Sequence, residues 1–79
     1  MNEESNYRTS DMYYAAFLRV AGVVFLDTER EGNRVFFVFE HPGPRVVRDL
    51  KRDYFNGSAK VSALDFSQSL KVTKTLLHE

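Results

Sequence analysis

Residues 23–39 read Val-Val-Phe-Leu-Asp-Thr-Glu-Arg-Glu-Gly-Asn-Arg-Val-Phe-Phe-Val-Phe, and this stretch predicts a β-hairpin. Two runs rich in β-branched and aromatic residues flank Gly32-Asn33, a pair typical of a two-residue turn. Such a turn places three pairs of residues opposite each other on one face, namely Leu26 with Phe39, Thr28 with Phe37 and Arg30 with Val35. The register is less firmly set than the turn, because a three-residue loop re-pairs the strands and a one-residue slip exchanges their faces.

The other face of this hairpin is expected to carry four apolar side chains, Val23, Phe25, Phe36 and Val38. A hairpin alone is marginally stable in water, so helices must cover one of its two faces. The four apolar residues are therefore candidates for a patch that the helices leave open, and such a patch is typical of a partner or self-association surface. The alternatives are that one helix crosses to cover the patch, or that Asp27 and Glu29 on the same face keep it hydrated.

Three amphipathic segments predict helices around the hairpin. The first spans residues 10–21, with N-cap candidates at Thr9, Ser10 and Asp11 and with Gly22 after its last turn. The second spans residues 44–55, between Pro44 and Asn56-Gly57. The third begins after Ser62, which has the character of an N-cap. Their inward faces are expected to hold Tyr13, Ala16, Phe17 and Val20 in the first helix, Val46, Val47, Leu50 and Tyr54 in the second, and Phe66, Leu70, Thr73 and Leu77 in the third.

The predicted fold class is α+β, a small single domain with the order α-β-β-α-α and an antiparallel hairpin packed against helices. Residues 58–61 form a short connector in which a third strand before the last helix is possible. Residues 1–8 are too polar to bury and are interpreted as a flexible tail, which leaves residues 9–79 as the domain. The residues expected deepest in the core are Phe17, Leu26, Phe37, Phe39, Leu50, Phe66 and Leu70.

Composition and net charge argue against several classes of protein. The chain has 79 residues, with 11 Lys plus Arg balancing 11 Asp plus Glu, and a net charge of zero argues against a wholly basic binder of nucleic acid or membranes. Zero Cys removes disulfides and thiolate chemistry. Residues 1–10 lack the apolar stretch of a signal peptide, and no run approaches the length of a membrane span, so a cytoplasmic location is expected.

No catalytic or metal-binding pattern stands out. His41 and His78 are the only histidines, one beside two prolines and the other next to the final residue, so no metal site is predicted. There is no Gly-x-Ser-x-Gly elbow, and each glycine is explained by a turn or a helix end rather than by a phosphate cradle. We therefore expect no enzyme activity, no cofactor and no small-molecule ligand.

Charge is unevenly distributed along the chain. Residues 1–31 hold six acidic and three basic side chains, whereas residues 44–60 hold two acidic side chains and five basic ones, namely Arg45, Arg48, Lys51, Arg52 and Lys60. At helical spacing these cations are candidate phosphate contacts, and Tyr7, Tyr54 and Phe55 are candidates for stacking on bases. The alternative is a solvated helix face on which Asp49 pairs with Arg45 or Arg52.

Several stretches resemble a known family. They are Thr9-Ser-Asp-Met-Tyr-Tyr-Ala-Ala-Phe-Leu18, Gly22, Arg34-Val-Phe-Phe-Val-Phe-Glu40, Asp53-Tyr-Phe-Asn-Gly57 and Val61. This pattern is similar to that of a family of small bacterial and phage-associated domains known only as a domain of unknown function, and the likeness covers about residues 9 to 77. The resemblance implies one compact αββαα-type domain in a bacterial or phage setting, and it brings no activity, cofactor or site residues.

The residues therefore favour a non-enzymatic protein-interaction or self-association module that uses the second face of the hairpin, with a homo-oligomer or another protein as partner. The alternative is a weak nucleic-acid-binding domain that uses the basic face of the helix at residues 44–55.

Overall fold

A central strand with a partner on each edge organises the protein. The computed structural model describes residues 6–78, and within them the elements are β1 Asn6–Thr9, α1 Met12–Val20, β2 Phe25–Glu31, β3 Arg34–Glu40, α2 Pro44–Phe55 and α3 Ala63–Leu77. The three strands form one antiparallel sheet in the order β1-β3-β2. The α+β class, the hairpin and the three helices are confirmed.

The third strand lies at the opposite end of the chain from the one considered possible at residues 58–61. β1 pairs with the free edge of β3, with Asn6 opposite Glu40 and Thr9 opposite Phe37, while residues 58–61 contain no strand. The interpretation of residues 1–8 as a loose tail is therefore wrong for residues 6–8, and residues 1–5 lie outside the described part of the chain. The pairing satisfies backbone groups on β3 that the hairpin alone leaves open.

The predicted two-residue turn is confirmed. Glu31 lies opposite Arg34, which leaves Gly32 and Asn33 between the strands. Gly32 has a φ of 61°, while Asn33 does not take a positive φ. A positive φ at only the first of the two central residues is the feature of a type II′ turn, and glycine adopts it at low cost.

A β-bulge at Leu26 changes the register of the hairpin. Two of the predicted pairs, Thr28 with Phe37 and Arg30 with Val35, are confirmed, but Phe39 lies opposite Phe25 instead of Leu26. The next pair is Asp27 with Val38, so Leu26 is an extra residue that has no partner in the ladder. An extra residue reverses the alternation of side chains, so Phe25 turns toward the helices and Leu26 is 49% exposed.

The middle of helix α1 is buried on all sides. The five consecutive residues from Tyr14 to Leu18 are all buried, and all of them except Ala16 pack with Phe37 and Phe39 of β3 in the main core cluster. A helix buried on more than one face does not keep a single apolar stripe. The predicted stripe is therefore wrong at Tyr13, which is exposed, while Tyr14 beside it is buried.

Helix α3 packs directly against the backbone of α1. The Ser69 hydroxyl donates a hydrogen bond of 2.9 Å to the carbonyl oxygen of Ala16, and the Thr73 hydroxyl donates one of 2.8 Å to the carbonyl oxygen of Ser69. Thr73 is fully buried. The small Ala and Ser side chains let the two backbones approach closely, so α3 covers the side of α1 that the sheet does not.

Fewer of the residues expected in the core are fully buried than the sequence predicts. Phe17, Phe37 and Phe39 are buried as expected, whereas Leu50, Phe66 and Leu70 are half-buried. α2 contains no fully buried residue.

Ser62 caps α3 as predicted, since its hydroxyl oxygen accepts from the Asp65 backbone N–H at 3.3 Å. Among residues 6–78, no helix is both long enough and apolar enough to cross a membrane.

Leu18 and Leu26 provide a matched test of this core. Leu18→Ala is expected to lower the free energy of unfolding by about 2 to 5 kcal/mol, because Leu18 is fully buried. Leu26→Ala removes the same atoms from a half-exposed bulge and is expected to cost no more than about 0.5 kcal/mol. Urea unfolding followed by circular dichroism measures both values. An equal cost for the two variants would contradict the bulge.

Candidate functional site

The second face of the sheet lacks the predicted apolar patch. Phe36 and Val38 lie on this face, but Val23 and Phe25 pack against the core cluster on the helix side, because the bulge at Leu26 reverses their direction. Val38 is only 3% exposed. The structure therefore does not bring the four candidate interface residues together on one open surface.

Arg8 covers much of what remains of that patch. Its guanidinium carbon lies 4.2 Å from the centre of the Phe36 ring, its Nε is 3.4 Å from a Glu29 carboxylate oxygen, and its Nη2 is 2.9 Å from a Glu31 carboxylate oxygen. The cation stacks on the ring and is held there by two carboxylates of β2. Residue 8 was assigned to the tail from the sequence, so this contact could not be predicted.

The solvent face of α2 carries a row of cations. Arg45, Arg48, Lys51 and Arg52 are all exposed, and their spacing of three or four residues places them along one side of the helix. We call these four residues the basic stripe. Leu50 and Tyr54 of the same helix pack instead against the core.

Lys60, the fifth predicted cation, does not join the basic stripe. It lies in the connector after α2 and lines a cleft of about 290 Å³ with Leu50 and Asp53, together with residues of α1. A second cleft, of about 240 Å³, lies between α1 and α3 and includes Arg19 and Ser69. Both volumes fall below the usual range of small-molecule sites.

Most of the basic stripe has no intramolecular counterion. The Nη1 of Arg52 lies 3.3 Å from Asp49, and its Nε lies 3.3 Å from Asp53, so the predicted pairing of Asp49 with Arg52 is confirmed. Within residues 6–78, no carboxylate forms an ion pair with Arg45, Arg48 or Lys51. These three side chains are therefore exposed cations that an external anion can reach.

An exposed phenyl ring follows these cations at the C-terminal end of α2. Phe55 follows Arg48, Lys51 and Arg52 by seven, four and three residues, and it is 63% exposed. Its ring centre is 4.9 Å from that of Tyr54, at right angles, and 5.7 Å from that of Tyr14. The Phe55 ring thus packs against two other aromatic side chains.

The supporting rings form a cluster that continues into the core. The Tyr54 ring centre lies 5.2 Å from the ring centres of both Tyr14 and Phe17. The Tyr14 hydroxyl shares a 3.2 Å hydrogen bond with the Tyr7 hydroxyl. Tyr7 also packs edge-on against His41 at 5.7 Å, so this candidate stacking residue is committed to the fold.

Two tyrosines of this cluster, Tyr14 and Tyr54, have raised pKa values. Burial is the main reason that the pKa of Tyr14 lies far above its usual value, with smaller contributions from the hydrogen bond and the charge of Tyr7. Burial is also the main reason that the pKa of Tyr54 is raised, and the charges of Asp11 and Tyr13 raise it further. The raised pKa values keep the phenols of Tyr14 and Tyr54 neutral to more alkaline pH than an exposed tyrosine.

The two histidines lie apart, one at the start of α2 and the other at the end of α3. The Nδ1 of His41 accepts a 3.0 Å hydrogen bond from the Gly43 backbone N–H at the start of α2. His78 is exposed at the end of α3. Within residues 6–78, no three His, Cys, Asp or Glu side chains lie close enough together to hold a metal ion.

Fold and site together define a small α+β domain that presents a basic helix face with an exposed aromatic ring. Residues 4–78 match the family described as Domain of unknown function (DUF5659), and the chain belongs to this family. Membership of a family of unknown function, inferred from the resemblance, is confirmed, and the match extends beyond the expected range to include β1. The comparison with curated proteins found no match, and neither did the comparison with solved structures.

The raised pKa of Tyr14 makes stability depend on alkaline pH. The unfolded phenol ionises at pH ~10. The folded protein holds that proton more tightly, so the contribution of Tyr14 to the free energy of unfolding is complete below this pH and is lost as the pH rises toward the folded pKa. Tyr14→Phe is therefore expected to flatten the fall in stability, measured by urea unfolding at a series of alkaline pH values. Parallel profiles for the two proteins would contradict this.

Proposed function

We propose that this domain is a non-enzymatic module that binds nucleic acid by holding its phosphates on the basic stripe of α2. The observation that carries the proposal is the set of three exposed cations, Arg45, Arg48 and Lys51, without an ion-pair partner in residues 6–78. Uncompensated Arg and Lys side chains in a row supply the sequence-independent part of nucleic-acid affinity, because phosphate binding releases condensed counterions.

The length of the stripe fits a short piece of a nucleic-acid strand. Lys51 lies six positions after Arg45, which corresponds to about 9 Å along a helix axis. At about 3.4 Å of axial length per nucleotide of one strand in duplex DNA, this distance covers two to three phosphates. Three such contacts support weak binding that is sensitive to salt.

A net charge of zero does not oppose a local basic surface. The acidic residues of β2, Asp27, Glu29 and Glu31, lie on the sheet, and two of them are already paired with Arg8. α2 lies on the other side of the sheet, next to α1. The basic stripe therefore presents its own positive potential to a ligand that approaches α2.

The protein-interaction role at the sheet has weaker support. That hypothesis depends on an open apolar patch, and Val38 is buried while Arg8 stacks on Phe36. A partner docking there would have to displace two ion pairs or accept a charged surface. The bacterial or phage setting and the cytoplasmic location remain predictions from the sequence.

Alanine substitutions in the stripe test the phosphate contacts. Arg48→Ala and Lys51→Ala should each weaken binding of a labelled mixed-sequence oligonucleotide at low salt. Each should also reduce the slope of log affinity against log salt by about 0.7 to 0.9, the value of one lost phosphate contact. Fluorescence anisotropy over a salt series measures both quantities.

Arg34→Ala and Lys71→Ala are the matched controls. Both side chains are exposed, and they lie on β3 and α3, outside the basic stripe. They should bind like the unchanged protein. Absence of binding at low salt, or equal losses in stripe and control variants, would refute the proposed function.

A further inference from the structure

Resting on the proposed function, we infer that the nucleic acid is single-stranded and that one of its bases stacks on the ring of Phe55. The juxtaposition that carries this inference is an exposed phenyl ring at the C-terminal end of the basic stripe, four residues after Lys51, which has no ion-pair partner within residues 6–78. A groove or face that combines phosphate-binding cations with an aromatic stacking surface is the physical arrangement that suits single strands.

The position of Phe55 on the helix aligns it with the cations. At 100° per residue, Phe55 lies in angle between Lys51 and Arg48, and Arg52 is one turn before it. A strand whose phosphates contact Arg48 and Lys51 therefore runs past the ring within the reach of one nucleotide. Leu50 and Tyr54 face the core, so the phenyl ring is the aromatic surface that α2 offers to the stripe.

The ring is also held in place before any ligand arrives. Tyr54 contacts it edge to face at 4.9 Å, and Tyr14, which is almost fully buried, lies 5.7 Å away. Restricted motion lowers the entropy cost of stacking a base on the ring. An exposed phenyl that is fixed in this way loses little on binding and gains the removal of its free face from water.

Whether the nucleic acid is single-stranded or duplex decides whether its bases can stack on Phe55. In a duplex, each base is already stacked between its neighbours, and only its edges are accessible in the grooves. In a single strand, bases unstack readily and expose a face to an aromatic side chain. Duplex DNA can still contact the cations, so the phenyl ring should add affinity for single strands only.

The experiment compares three labelled DNA probes of equal length by fluorescence anisotropy at low salt: a mixed-sequence single strand, the same strand with abasic sites, and the duplex. The unchanged protein should bind the single strand more tightly than either of the others. Phe55→Leu, which keeps an apolar side chain but removes the ring, should weaken single-strand binding about 5- to 100-fold, the value of one lost base stack.

The remaining probes and variants isolate stacking. Phe55→Leu should not change the affinity for the abasic strand or the salt slope, whereas Phe55→Tyr should retain the preference for bases. Leu64→Ala, another exposed apolar truncation, is the control on α3. Since Phe55 is exposed, these variants should fold, and circular dichroism checks that they do.

The outcomes separate the two proposals. Equal affinity for all three probes, with no effect of Phe55→Leu, overturns base stacking while leaving phosphate binding by the stripe intact. Loss of single-strand affinity in Phe55→Leu with unchanged abasic binding supports the inference. No binding to any probe overturns the proposed function and the inference with it.

Discussion

The burial of α1 on more than one side is the constraint on which the other elements depend. Its residues from Tyr14 to Leu18 have no exposed face, so the chain must supply one cover from the sheet and another from α3. Phe37 and Phe39 form the first cover, and the hydrogen bond from Ser69 to Ala16 shows how closely the second approaches. Only about 80 residues are available for this, which leaves little apolar surface for a second core.

α2 is less buried than α1, because the sheet and α3 already enclose α1. It reaches the core through half-buried residues such as Leu50 and Tyr54, and none of its side chains is fully buried. Its outer face is free of packing requirements and carries the basic stripe. The aromatic cluster joins the two helices, so the support of Phe55 and the stability of the core both involve Tyr14. The binding surface proposed on α2 thus rests on the Tyr14 ring, which also belongs to the core.

The two candidate surfaces illustrate how far residue patterns predict a site. Arg45, Arg48, Lys51 and Arg52 share the exposed side of α2 that their spacing predicts, since a helix places residues three and four apart side by side, whereas Lys60 lies in the connector after the helix. The sheet patch failed because a single extra residue at Leu26 exchanges the faces of Val23 and Phe25. Arg8 was missed for another reason, since a polar segment of four residues gives too weak an alternating pattern to predict β1.

Local signals in the chain were therefore sufficient for the α+β class, the hairpin turn at Gly32-Asn33, the limits of α2 and the Ser62 cap, because turns and caps are decided by interactions among a few neighbouring residues. Tertiary packing alone decided that β1 fills the open edge of β3, that the hairpin bulges, and that Tyr14 is buried while Tyr13 is exposed. These outcomes depend on contacts between residues distant in sequence, and a run of adjacent apolar side chains allows several faces until such contacts select one.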